Sequence, residues 1–310
     1  MRITNRMMVE NSLQNIANSK ELTSKLQNQI STGKQVQNAS DDPVRASLSL
    51  SLRSNLRTID SYVDTTDSTN NWMNASDFTF GQLETLSNRA STLVLRGLND
   101  TISGQERATT LGSEMKTLVD QAVEIGNTTH NGQYIFAGYK LNTKPFALTN
   151  AATTFIDFSG NTVNNRTVTY SGDSNVMQRS LGPEQSVTLN VPGDQAIQGF
   201  LQNLVLASEA LTKNPYDPAS LQTALAGLQS SLSTLDQFRT SNGARMRQVE
   251  SAAEFLDQVK AETKSLLSKK EDANVAEAIT MLASQKITFD AVLEVSKRAI
   301  SGLSLFDYIQ

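Results

Sequence analysis

At 310 residues, with 19% charged, 38% hydrophobic and 6% aromatic side chains, the chain has room for more than one folded unit and a modest apolar share to fill them. Its net charge of −4 and scattered lysines and arginines exclude the basic footprint that nucleic acid requires, and the absence of cysteine excludes disulfides, thiolate metal sites and cysteine nucleophiles. No apolar run reaches the ~20 residues of a bilayer-spanning helix. Met1 to Glu10 lacks the apolar centre of a cleaved signal peptide, so neither membrane insertion nor a standard secretion signal is expected.

Val9, Leu13, Ile16, Leu22, Leu26 and Ile30 open the chain as a loose apolar stripe at helical spacing. Gly33 follows, where a residue free to take positive φ closes a helix. Asp41 and Asp42 precede Pro43, the pattern of an N-cap carboxylate with proline at the first helical position, where its missing N–H costs nothing. A cap explains these aspartates better than a cation site, because no carboxylate cluster follows at loop spacing. Thr32-Gly33-Lys34-Gln35 shares letters with the end of a phosphate loop, but position 28 is asparagine and position 35 is glutamine, so the match fails.

Leu48, Leu52, Leu56, Ile59 and Val63 then form one helical seam, and Leu111, Met115, Leu118, Ala122 and Ile125 another. The lone histidine, His130, lies in a polar turn; a single imidazole cannot build a multi-histidine metal site, and nothing around it suggests a serine triad. Between Gly138 and Gly193 the period changes. Thr153 to Phe158 and Arg166 to Tyr170 are alternating or β-branched runs, punctuated by Ser159-Gly160-Asn161, Ser171-Gly172-Asp173 and Pro192-Gly193-Asp194, the pattern of a small antiparallel domain. Residues 138–196 contain no histidine, no cysteine and few carboxylates, so hydrolytic chemistry is not expected there.

Helical spacing resumes after Asp217-Pro218, a second aspartate–proline start, with Leu221, Leu225, Leu228, Leu232 and Leu235, then Met246, Val249, Ala253 and Leu256. The seams from Leu48 to Leu256 read as internal packing. Lys269 to Asp272 read as a solvated helix break. The last seam is the cleanest: of Val275, Ile279, Leu282, Lys286, Phe289, Leu293, Ser296, Ile300 and Leu303, seven of nine positions are apolar. A lone helix leaves such a stripe wet. The two chain ends are therefore expected to be loosely ordered in isolation and to become helical on packing with each other and with neighbouring subunits.

The ends also resemble a known family. Gln29-Ile30-Ser31-Thr32-Gly33-Lys34 followed by Asn38-Ala39-Ser40-Asp41-Asp42-Pro43 is similar to the flagellin signature of two turns before a long helix. Ser268 to Phe289, with Glu271-Asp272-Ala273, Ala276-Glu277, Ile279-Thr280 and Gln285, resembles the lead-in to that family's last helix. Gly132-Gln133-Tyr134-Ile135-Phe136-Ala137-Gly138, Lys144-Pro145-Phe146, the opening Met1-Arg2-Ile3-Thr4 and the closing Gly302 to Ile309 suit the family members that join hook to filament better than filament flagellin itself. The resemblance covers roughly two-thirds of the chain; the β insertion matches only in position and size.

The resemblance implies a mainly α fold with a β insertion: an elongated flagellin-like rod of coiled-coil helices formed by both chain ends, with a small antiparallel β domain in the middle. The expected division is an inner helical domain from 1–42 and 273–310, a helical rod from 43–137 and 197–272, and an outer β domain at 138–196. It implies a structural junction subunit of the bacterial flagellum, without enzymatic activity or cofactor, exported through the flagellar type III apparatus. Expected partners are copies of itself in a ring or tube, the hook-side junction protein, flagellin and a cytoplasmic export chaperone. The expected assembly interface is Val9, Leu13, Ile16, Leu22, Leu26, Ile30, Val275, Ile279, Leu282, Phe289, Leu293, Ile300 and Leu303, with Gly33, Asp41, Asp42 and Pro43 as a structural turn.

Overall fold

The structure, a computed structural model, describes residues 2–36 and 38–307; for residues 2–6, 8, 9 and 298–307 it describes the backbone and not the side chains. In chain order the elements are α1 (Arg2–Thr32), α2 (Pro43–Gly97), α3 (Gly104–Glu106), a π-helical turn (Arg107–Leu111), α4 (Gly112–Gly126), β1 (Thr129–His130), β2 (Gln133–Tyr134), β3 (Phe146–Ile156), β4 (Thr162–Tyr170), β5 (Gln178–Ser180), β6 (Ser186–Thr188), α5 (Gly193–Ala196), α6 (Gln198–Thr212), α7 (Pro218–Glu271) and α8 (Val275–Asp307). The fold is mainly helical, and each pair of consecutive strands forms its own two-stranded antiparallel sheet. The chain divides into two compact units, residues 1–60 with 258–310, and residues 61–257; α2 and α7 contribute to both.

The middle unit is organised around α6. Phe200, Leu201, Leu204, Val205, Ala207 and Leu211 are buried in it against Leu111, Met115, Leu118 and Ala122 of the seam that includes α4, and against Leu221 and Leu228 of α7. The aromatic rings of Phe80 and Phe136 meet edge to face at 5.5 Å, the arrangement favoured by the ring quadrupole. Arg107, almost wholly buried at the π-helical turn, donates from Nε to the Gly97 carbonyl at 2.8 Å and lies 3.6 Å from the centroid of the Tyr216 ring. Its charge thus satisfies an orphan carbonyl at the C-terminus of α2, where the helix dipole favours a cation.

The β structure grows from local turn chemistry. Asn131 and Gly132, at φ of 51° and 77°, supply the two positive-φ positions of a two-residue hairpin between β1 and β2. His130 in that hairpin stands edge-on to Trp72, with ring centroids 5.9 Å apart. β3 and β4 pair from Phe146 opposite Tyr170 to Ile156 opposite Thr162, with a bulge between Asn150 and Thr154. Their connection is the predicted Ser159-Gly160-Asn161 turn, closed by the Asn161 N–H donating to Asp157 Oδ1 at 2.8 Å. Gly138 ends the buried run Ile135-Phe136-Ala137 at φ of 66°; a Cβ there would lie 2.2 Å from Asp173 Oδ1, so no other residue fits without moving that loop.

In the unit formed by residues 1–60 and 258–310, α1 and α8 pack against each other. The backbones of Lys34 and Asp272 form an isolated antiparallel β-bridge, Gln285 Nε2 donates to Ser19 Oγ at 2.8 Å, and Ser12 and Asn15 share a small cleft with Val292 and Ser296. Rising numbers on one helix meet falling numbers on the other, so the pair is antiparallel.

Candidate assembly surface

The facing residues of the terminal pair follow a four-three spacing. Along α1 they are Ser12, Ile16, Ser19, Thr23, Leu26 and Ile30; along α8 they are Ala278, Leu282, Gln285, Phe289, Val292 and Ser296. These are buried or half-buried positions on otherwise exposed helices, which is the seam of an antiparallel coiled coil. Small residues at Ser19, Ala278 and Ser296 let the backbones approach closely, and the Gln285 amide satisfies the Ser19 hydroxyl within the seam.

This seam is turned relative to the sequence expectation. Leu26 is buried, and Ile16, Ile30, Leu282 and Phe289 are half-buried, so these expected interface residues face the partner helix of the same chain. Leu13, Leu22, Val275, Ile279 and Leu293 are exposed, and the seam positions beside the last three are instead Ala278 and Val292. The side chains of Val9, Ile300 and Leu303 lie outside the described residues. Sequence spacing missed Ser12, Ser19, Thr23 and Gln285 because polar residues in a seam leave no apolar periodicity.

The exposed residues are the informative ones. At about 100° per residue, Val275, Ile279 and Leu293 flank the α8 seam on one side, Met281 and Val295 flank it on the other, and Ile287, 73% exposed, lies opposite. Exposed apolar side chains on both flanks of the seam, and Ile287 among polar residues on the far side, extend beyond the strip that α1 covers, and such surface belongs against a larger body.

The turns that lead into this pair are tied together. Gly33, at φ of 68°, ends α1 with its N–H donating to Gln29 O at 2.9 Å. Asp42 Oδ1 accepts from the Arg45 N–H at 3.0 Å, capping α2 at Pro43, while Asp41 Oδ2 accepts from the Asn38 N–H at 3.2 Å. The Gln35 N–H donates to Glu271 O at 2.7 Å and the Ala273 N–H to Gly33 O at 2.8 Å, so the two breaks pair like short strands.

At their centre Glu271 is 7% exposed, which corrects the reading of Lys269 to Asp272 as mainly a solvated break at this one residue, while Lys269, Lys270 and Asp272 are exposed. Its carboxylate accepts from Ser49 Oγ at 2.9 Å and Arg53 Nε at 3.0 Å, with Lys34 Nζ at 2.6 Å and Arg53 Nη2 completing a fork. Burial alone would push its pKa up; hydrogen bonds from Arg53, Lys34 and Ser49, with the Arg53 charge, hold it instead at about 2. Four donor atoms from three residues on two segments explain why a carboxylate occupies a buried position here.

Comparison with known proteins agrees with this geometry. Residues 3–141 match the family described as the bacterial flagellin N-terminal helical region. Flagellar hook-associated protein 3 of Escherichia coli (strain K12) is 27% identical over 230 residues, 74% of this chain and 67% of that protein. Flagellar hook-associated protein 3 of Salmonella typhimurium is 34% identical over 147 residues, 47% of this chain and 46% of that one. Among solved structures, a flagellar hook-associated protein from Vibrio parahaemolyticus shares the fold with a TM-score of 0.63 at 18% identity, over 75% of this chain and all of that one.

Proposed function

We propose, from the match of residues 3–141 to the flagellin N-terminal helical region and the likeness to hook-associated protein 3, that the chain is a structural subunit of the bacterial flagellum at the junction of hook and filament. The observation that carries the reading is the set of exposed apolar side chains flanking the α8 seam, Val275, Ile279, Met281, Leu293 and Val295, which a single α1 leaves uncovered. Neighbouring subunits supply the remaining cover. The apolar residues Leu13, Leu22, Val275, Ile279 and Leu293 are then contacts between subunits, while Ile16, Leu26, Ile30, Leu282 and Phe289 hold the pair that presents them.

In this reading the inner helical domain is residues 1–42 and 273–310, the rod is 43–137 and 197–272, and 138–196 is the outer β domain. Its partners are further copies of the chain, the hook-side junction protein and flagellin. It reaches them by flagellar type III export, escorted by a cytoplasmic chaperone, and it performs no catalysis.

The test uses Ile287→Asp in cells lacking the native gene. Ile287 faces away from α1, so the purified variant keeps the parent's unfolding transition, whereas burying an unpaired carboxylate in the assembly is costly. The expected result is a folded, exported variant and hooks that carry no filament. Normal filaments on those cells would sink the reading. Leu282→Asp, by contrast, also loosens the α1–α8 pair in the free chain.

A further inference from the structure

Methionine is placed differently in the two units. Met73 and Met115 of the middle unit are fully buried, Met73 against Leu181, Val187 and Val249. In the terminal pair Met7 of α1 is 61% exposed and Met281 of α8 is 50% exposed. A thioether open to solvent is within reach of an oxidant, and one sealed in a close-packed core is not.

Of the two exposed methionines, Met281 stands where a change of polarity matters. At about 100° per residue, Met281, Thr288 and Val295 form a heptad column beside the α8 seam, whereas Met7 lies on the side of α1 away from its seam. A cleft of about 240 Å³ opens on the Met281 flank, where Thr288, Val292 and Val295 line it with Ser12 and Asn15 and no lining residue is charged. An unbranched, polarizable methionine suits a surface that has to fit a neighbouring copy.

We infer that Met281 is an oxidative modification site that decides whether a free chain can join the assembly. The inference rests on the reading of this flank as a contact between subunits. A peroxide is the oxidant. The sulfur lone pair attacks one peroxide oxygen, the S–O bond forms as the O–O bond breaks, and the sulfur gives up two electrons. With hydrogen peroxide the second oxygen leaves as water and the product is the sulfoxide. That group is polar and accepts hydrogen bonds, so burying it on an apolar flank without a donor is costly. Assembly in turn covers the thioether, and a chain already incorporated is protected.

The purified full-length chain is treated with hydrogen peroxide and its methionines are followed by peptide mass spectrometry. Met281 is expected to gain oxygen about tenfold faster than Met73 or Met115 in the free chain, and as slowly as they do in isolated flagella. The treated chain is then offered to hooks isolated from cells lacking the gene. Oxidation is expected to lower the number of copies bound about tenfold, and a methionine sulfoxide reductase to restore it. Met281→Leu keeps an apolar side chain without sulfur and should bind equally before and after peroxide; Met281→Gln should bind poorly with no oxidant at all. A loss of binding in peroxide-treated Met281→Leu equal to the parent's overturns the inference and leaves the junction reading standing. Oxidation of Met281 in flagella as fast as in the free chain does the same. An untreated parent chain that does not bind the hooks sinks both.

Discussion

The middle unit buries Phe80, Phe136, Phe146 and Phe200 almost completely, whereas among the described residues the α1–α8 pair buries only Ser19, Leu26, Ala278 and Ser296, and those less fully. Two of those four are serines. Both regions are written in helical spacing, yet in one the stripe is covered by the same chain and in the other most of it stays open. Apolar periodicity thus reports that a helix needs a partner; the amount of other apolar surface in the same unit decides where that partner comes from.

The sharpest way to break this contrast is to remove one buried ring. Phe136→Ala leaves a cavity among Phe80 and its neighbours, and a loss of 3–5 kcal/mol is typical of such a change. The only tryptophan, Trp72, lies buried in the same unit, so its fluorescence in a denaturant titration follows this region selectively. Leu26→Ala in the terminal pair is expected to leave that transition in place. An equal shift for both variants would mean that the two regions unfold as one and that the contrast is empty.

A smaller effect tests the clasp. The folded pKa of Glu271 is about 2, below the ordinary ~4.3 of a free glutamate, so its contribution is complete above about pH 5 and fades as pH falls toward 2. Lys34 and Arg53 remain charged throughout that window. Because both are about half exposed, solvent screening leaves roughly 1–2 kcal/mol. The protection factors of the Gln35 and Ala273 amides, whose N–H groups tie the two breaks, are expected to fall on acidification once exchange is referred to the intrinsic rate at each pH. Glu271→Gln should exchange faster at neutral pH and lose most of the acid response; an unchanged pH profile would show that the carboxylate is not what holds the breaks.

How much of this the residues announce depends on whether a feature is local. The aspartate–proline starts, the positive φ at Gly33 and the Ser159-Gly160-Asn161 turn follow from side chain and backbone chemistry within a few positions, and all were legible. The role of α6 was not, because Phe200, Leu201, Leu204, Val205 and Ala207 are buried on several sides and draw no single stripe. Arg107 and Glu271 resemble ordinary surface charges until Gly97, Tyr216, Arg53 and Lys34 are brought to them from elsewhere in the chain. The terminal helices were legible as stripes, but Ser19 and Gln285, which lie in the seam between them, have no apolar character and left no trace in the periodicity.

The two aspartate–proline caps offer the finest comparison, because the same local chemistry occurs once in each region. Asp42 accepts from the Arg45 N–H at 3.0 Å; Asp217 accepts from the Ala219 N–H at 3.1 Å and from the Ser220 hydroxyl. Replacing either with alanine frees N–H groups at a helix start. Asp217→Ala is expected to lower the midpoint of the Trp72-reported transition, because α7 anchors Leu221 and Leu228 in the middle core. Asp42→Ala is expected to leave that midpoint unchanged and to weaken only the first turns of α2, by about 1 kcal/mol in local opening measured by amide exchange. If the order of the two effects on the midpoint is reversed, stability in this chain is not partitioned as its burial pattern implies.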